Sequence, residues 1–105
     1  MVRRSLLVTA LSLGFATTAL ADVLTDLADL QASTESVTLA PAYKQTLLQI
    51  VDSATLRYQQ GRPDATKSLL RSYVNYVNRY VAAGELSPAE GQMLTDKASA
   101  IIAQL

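Results

Sequence analysis

Three prolines and two glycines divide most of this chain into helical segments. Pro41, Pro63 and Pro88 each stand where an amphipathic run begins, and proline suits the first helical turn because its φ is already helical and its missing N–H would have no partner there. Gly61 and Gly84 stand where two of these runs end, and glycine readily adopts the left-handed conformation that closes a helix. These signals predict three helices, over about residues 41–60, 63–83 and 88–104.

The hydrophobic spacing supports the same three helices. Ser87 and Glu90 form a capping box at the start of the third. In the middle helix the apolar residues form two adjacent stripes, and a sector this wide predicts contact with both neighbouring helices. The stripes consist of Leu69, Tyr73, Tyr76 and Tyr80, and of Leu70, Val74, Val77 and Val81.

The segment before Pro41 carries a weaker helical pattern. Val23, Leu27 and Leu30 recur at helical spacing, which predicts a short N-terminal helix over about residues 22–32 that docks on the bundle. Residues 33–40 are rich in serine and threonine and are expected to form a linker; the alternative is that all of 22–40 is a partly mobile leader. The expected fold is all-α: a small antiparallel bundle of three main helices, with residues 41–105 as the domain and the short helix added.

Residues 1–21 have the layout of a cleaved secretory signal peptide. Arg3 and Arg4 precede an uncharged apolar run over 6–16, and the small residues Ala19 and Ala21 suit a signal peptidase that cuts after Ala21. The arginine pair only partly resembles a twin-arginine signal, so ordinary unfolded export is the favoured interpretation. The expected location is the periplasm or the outside of the cell, without a membrane anchor after cleavage.

Composition narrows the functions of such an exported domain. Cleavage would remove 21 of 105 residues and leave 84, with seven basic and nine acidic side chains and a net charge of −2. This charge argues against nucleic acid as a partner. The chain contains no histidine and no cysteine, so it lacks the commonest general base, the commonest metal ligand and the thiol nucleophile. We expect no catalytic residue, no metal and no cofactor.

Three groups of residues remain as candidate sites. Asp22, Asp26 and Asp29 could offer oxygen ligands to calcium, although acidic residues at a helix start explain them better. The tyrosines, above all Tyr76 and Tyr80, could stack on sugar rings or anchor a protein, but their spacing favours a core role with hydroxyls at the rim. The third group gives the middle helix a basic outer side, which is either a solvated face or a docking strip for an acidic partner or an anionic glycan. It consists of Lys67, Arg71 and Arg79.

The order of core and turn residues from position 43 to 105 resembles the FIMAH-type helical module of secreted bacterial proteins. The most specific part is residues 65–77 followed by the turn over 84–87, with Tyr73-Val74 standing where the family would have Phe-Ile. The resemblance implies a helical fold and an accessory role beside extracellular hydrolases. It implies no activity for particular residues, because the motif consists of core and turn positions.

The sequence therefore predicts a small exported non-enzymatic binding or interaction module, with a protein or a glycan as its partner. One alternative is a periplasmic structural or helper protein that self-associates through a surplus apolar face of the middle helix. A carboxylate-only hydrolase, with Glu85 and Glu90 as its most plausible pair, is the remaining alternative.

Overall fold

Four helices account for nearly all of the residues that the structure describes. A computed structural model describes the backbone of residues 11–105 and the side chains of residues 22–105. Its helices are α1 (Leu11–Ser36), α2 (Pro41–Gln59), α3 (Pro63–Ala82) and α4 (Pro88–Ile102), and residues 11–105 contain no strand. The predicted all-α class is confirmed. Within the described residues, no helix combines the length and apolar character needed to cross a membrane.

The proline and glycine signals locate α2, α3 and α4 to within two residues. Each of these helices begins at its predicted proline. Gly61 and Gly84 both have a φ of 76°, the left-handed conformation that closes the preceding helix. At the start of α4 the Ser87 Oγ accepts the Glu90 N–H at 3.1 Å, as expected. The glutamate does not reach back to the Ser87 N–H: its Oε1 accepts the Ser87 hydroxyl, and its Oε2 accepts the Thr38 N–H.

Helix α1 differs most from the sequence-based prediction. The expected helix covered about residues 22–32, whereas α1 runs from Leu11 to Ser36 and leaves only residues 37–40 as a linker. The serine- and threonine-rich stretch stays helical as far as Ser36, and two of its hydroxyls donate to carbonyl oxygens one turn back: Thr34 to the oxygen of Leu30 at 2.7 Å, and Ser36 to that of Ser33 at 2.8 Å. These bonds satisfy the hydroxyls without an interruption of the helix. The prediction of a long linker was therefore wrong.

The four helices form a closed ring around one core. Helix α2 contacts α1 and α3, and α4 contacts α3 and α1, so α1 is a full wall of the bundle rather than a short cap. The prediction that α3 contacts both of its sequence neighbours is confirmed. All four helices supply buried side chains, and the largest of these are Tyr73, Leu27, Leu30, Leu47, Leu70, Leu94 and Ile101.

Two helices approach each other closely at one glycine. Gly91 is buried in α4, and a Cβ at this position would collide with Val81 Cγ2 on α3. The close contact between α3 and α4 therefore requires a residue without a side chain at position 91.

Candidate ligand-binding surface

The outer side of α3 carries the three predicted cations. Arg71 and Arg79 are exposed, and Lys67 is half-buried. Among residues 22–105 the salt bridge is the one between Lys97 and Asp29, so none of the three cations on α3 has an acidic partner in this part of the chain. Their charge is available to a partner from solvent.

An open depression of about 230 Å³ lies on this side of α3. It is lined by Ser72, Asn75, Tyr76 and Arg79. These residues follow one another at intervals of three, one and three positions, so one face of the helix brings them together. Arg71 and Lys67, which were predicted to belong to the same binding surface, do not line the depression.

The depression is lined by hydrogen-bonding groups that the described part of the protein leaves unused. Ser72 offers a hydroxyl, Asn75 an amide that both donates and accepts, and Arg79 a guanidinium with several N–H donors. Within residues 22–105 no hydrogen bond engages the side chains of these residues or the Tyr76 hydroxyl. The lining contains no carboxylate. Such a site suits a ligand that is anionic and also carries hydroxyl groups.

Aromatic stacking holds the guanidinium and the rings in place. The Arg79 Cζ lies over the Tyr76 ring, 5.5 Å from its centroid, a cation–π arrangement. Tyr80 continues the row, with its centroid 6.1 Å from that of Tyr76 and 4.8 Å from that of Tyr43 on α2. Partial burial raises the pKa of the Tyr80 hydroxyl.

The tyrosines fall into two groups that the sequence did not separate. Tyr73 has no exposed surface, while Tyr76, Tyr80 and Tyr58 are half-buried and Tyr43 is exposed. The Tyr73 hydroxyl lies 2.7 Å from Thr34 Oγ1 in the core. Burial raises the pKa of Tyr73 to about 12. Tyr73 is therefore a core residue, and Tyr76 is the tyrosine that lines the depression.

Two acidic residues of α1 are engaged in contacts with α4 and the residues that follow it. Lys97 Nζ donates to Asp29 Oδ2 at 2.6 Å, and Gln104 Nε2 donates to Asp26 Oδ2 at 2.8 Å. No group of three acidic, histidine or cysteine side chains in the described part of the chain could hold a metal ion. In the uncleaved chain α1 begins at Leu11, so Asp22, Asp26 and Asp29 lie inside this helix and would stand at its start only after cleavage.

Ser72 and Asn75 are the site residues that sequence reasoning missed. Neither was named as a candidate, although they stand four and one positions before Tyr76. Their helical spacing from Tyr76 and Arg79 was a usable signal.

Comparison with known families, curated proteins and solved structures finds no match to this chain. The resemblance to the FIMAH-type module stays a prediction, and function must be argued from the surface of α3.

Proposed function

We propose that this protein is a small exported, non-enzymatic binding module that captures its partner on the outer side of α3. The observation that carries the proposal is the set of unpaired cations, Lys67, Arg71 and Arg79, next to a depression whose donors have no partner among residues 22–105. Lys67 and Arg71 are like charges four positions apart on one helix, an arrangement that does not stabilise the helix. A ligand of opposite charge would give them a function.

Export rests on the layout of residues 1–21, of which residues 1–10 lie outside the described residues. Cleavage after Ala21 would keep the buried positions Val23, Leu27, Leu30 and Thr34 in the mature chain. Asp22 would then begin the shortened α1 and place an acidic side chain at its new N-terminus, which favours a helix start. Sequencing the N-terminus of the exported protein tests this step, since a start other than Asp22 contradicts it.

The chemistry of the described surface supports binding rather than catalysis. The chain has neither histidine nor cysteine. Of the carboxylates considered for a hydrolase, Glu90 accepts hydrogen bonds from Ser87 and from the Thr38 N–H. Its oxygens thus stabilise the α4 cap and the α1–α2 linker.

The test is partner capture by charge-reversed variants in the producing cells. Arg71→Glu with Arg79→Glu is expected to reduce crosslinking to the partner at least about tenfold, because attraction on the α3 surface becomes repulsion. The matched control, Arg57→Glu with Arg62→Glu, changes net charge equally at the α2–α3 corner and should leave crosslinking unchanged. Equal losses in both variants would contradict a specific role of this surface.

Self-association is the alternative, and one observation favours it. The apolar face predicted for α3 is not available, since no large hydrophobic side chain of α3 is exposed among residues 22–105. Leu56 on α2, however, is 49 % exposed, and a second copy could cover it. In sedimentation at high concentration, a dimer that dissociates on Leu56→Gln would support this alternative. A monomer would remove it.

A further inference from the structure

We propose, building on the proposed function, that the depression on α3 binds a uronic acid unit of an acidic polysaccharide. Its carboxylate would bond to Arg79, and its hydroxyls would bond to Asn75 and Ser72 beside the Tyr76 ring. The inference rests on the juxtaposition of these four side chains around about 230 Å³ of open space.

The donors and acceptors match a sugar acid group by group. A guanidinium binds a carboxylate through two parallel N–H···O bonds. Sugar hydroxyls both donate and accept, and the Asn75 amide and the Ser72 hydroxyl do the same. Because no carboxylate lines the depression, nothing in it repels an anionic ligand.

The position of the guanidinium is set before a ligand arrives. Its stacking on the Tyr76 ring at 5.5 Å restricts the Arg79 side chain, and the Tyr76–Tyr80–Tyr43 row supports that ring. A restrained guanidinium loses less conformational entropy on binding, which favours affinity in a shallow site.

The remaining cations extend the site along the helix. Arg71 lies eight residues before Arg79, and Lys67 lies twelve before it. At a rise of 1.5 Å per residue these separations are about 12 and 18 Å along the axis. A linear polymer with a carboxylate on every unit can reach all three cations, whereas a single sugar acid reaches one.

A folded protein fits this surface less well. Protein interfaces depend on a few large apolar or aromatic anchors in a dry centre. Among residues 22–105 the large hydrophobic side chains that are exposed are Tyr43 and Leu56, and neither lines the depression. Open polar surface with one ring at its edge suits a hydrated carbohydrate better.

Titration calorimetry of the full chain with polygalacturonate tests the proposal. The fully methyl-esterified polymer keeps the sugar and removes the charge, and polyglutamate keeps the carboxylates and removes the sugar. We expect binding of polygalacturonate that weakens with added salt, and at least about tenfold weaker binding of either comparison polymer.

Variants locate the binding within the depression. Arg79→Gln should weaken binding of polygalacturonate about tenfold or more, and Asn75→Ala about threefold, since a charge-assisted pair is stronger than a neutral hydrogen bond. Arg79→Lys should weaken it as well, because lysine keeps the charge but loses the planar fork. Arg62→Gln is the matched control: it removes one charge outside the depression and should have no effect. Circular dichroism establishes that each variant is folded.

Each contrary outcome has a definite meaning. Equal effects of Arg79→Gln and Arg62→Gln would overturn the depression as the site. Equal affinity for polyglutamate would overturn the sugar and leave an anion-binding surface. Absence of binding to polygalacturonate would overturn the glycan, whereas the proposed function would still be decided by crosslinking of the charge-reversed variants, which uses no polymer.

Discussion

The buried pair Thr34–Tyr73 allows the core to be tested by a double-mutant cycle. The Thr34 hydroxyl donates to the Leu30 carbonyl oxygen at 2.7 Å, so the Tyr73 hydroxyl is the donor in the 2.7 Å bond to Thr34 Oγ1. Both residues have no exposed surface. The pair links α1 to α3 across the ring of helices, and water cannot replace either partner without opening the core.

The direction of these bonds predicts unequal costs for the two single variants. Thr34→Val keeps the shape but leaves the Tyr73 hydroxyl buried without an acceptor, which costs about 1–3 kcal/mol. Tyr73→Phe removes the donor while Thr34 keeps its bond to Leu30, and it should cost about 0.5–1.5 kcal/mol. The double variant leaves no orphaned hydroxyl, so it should be less destabilised than the sum of the singles by about 1–2 kcal/mol.

Urea unfolding followed by far-UV circular dichroism measures each free energy of unfolding. Thr55→Val is the matched control, because Thr55 donates to the Val51 carbonyl oxygen at 2.9 Å, one turn back, and has no second partner among residues 22–105. Its cost measures the loss of such a back-bond alone. Additive free energies, or a Thr34→Val variant no worse than Thr55→Val, would refute the argued directions of the hydrogen bonds.

Three further predictions concern stability. Burial raises the pKa of Tyr73 from 10.0 to about 12, so its stabilising contribution is complete below about pH 10 and is lost as pH rises towards about 12, on the order of 3 kcal/mol in all. An alkaline unfolding curve that Tyr73→Phe leaves unchanged would contradict this. Gly91→Ala should lower the melting temperature, because the collision with Val81 costs about 1–3 kcal/mol, whereas the gain in helix propensity is about 1 kcal/mol. A raised melting temperature would show that α3 and α4 can move apart to make room for the new Cβ at little cost. Lys97→Met should change the free energy of unfolding in urea by less than about 1 kcal/mol, because the Lys97 and Asp29 side chains are 34 % and 57 % exposed and exposed ion pairs stabilise little. A larger loss would mean that this ion pair joins α1 to α4 more strongly than its exposure implies.

Local chemistry made three of the helices predictable from sequence. Pro41, Pro63 and Pro88 mark helix starts through their own φ and missing N–H, and the positive φ of Gly61 and Gly84 marks two ends. These signals depend on one or two residues each. They do not require knowledge of what the helices contact.

The extent of α1 could not be predicted in the same way. Thr34 continues the helix because its hydroxyl has two buried partners, one of them 39 positions away on α3. Composition alone makes residues 33–40 look like a loop, since serine and threonine compete for backbone hydrogen bonds. Gly91 was missed for a related reason: its role depends on Val81 across the α3–α4 contact, and no periodicity within α4 reveals a neighbour on another helix.

The sequence indicated the cations on the outer side of α3 but not the residues that line the depression. Lys67, Arg71 and Arg79 were visible as cations on one side of α3, and the structure leaves them unpaired within residues 22–105. The depression itself centres on Arg79 and excludes the other two. Charge is readable from a sequence, whereas the shape between side chains on one face requires their placement.

Helix α3 supplies side chains both to the core and to the lining of the depression, so packing of the core can affect the geometry of the candidate site. Its inner positions Tyr73 and Val77 have no exposed surface. Ser72, one residue before Tyr73, and Arg79, two residues after Val77, line the depression. The hydrogen-bond donors of the depression therefore lie on a helix that packs against both α2 and α4. Changes at Tyr73 should lower stability with little effect on ligand affinity while the protein stays folded. Arg79→Gln should lower ligand affinity with little effect on stability. The free energy of unfolding and the affinity for polygalacturonate, measured for both Tyr73→Phe and Arg79→Gln, decide whether the core face and the depression face of α3 are independent. If Tyr73→Phe weakened ligand binding as much as Arg79→Gln does, binding would depend on the core packing beneath the depression and not on the side chains that line it.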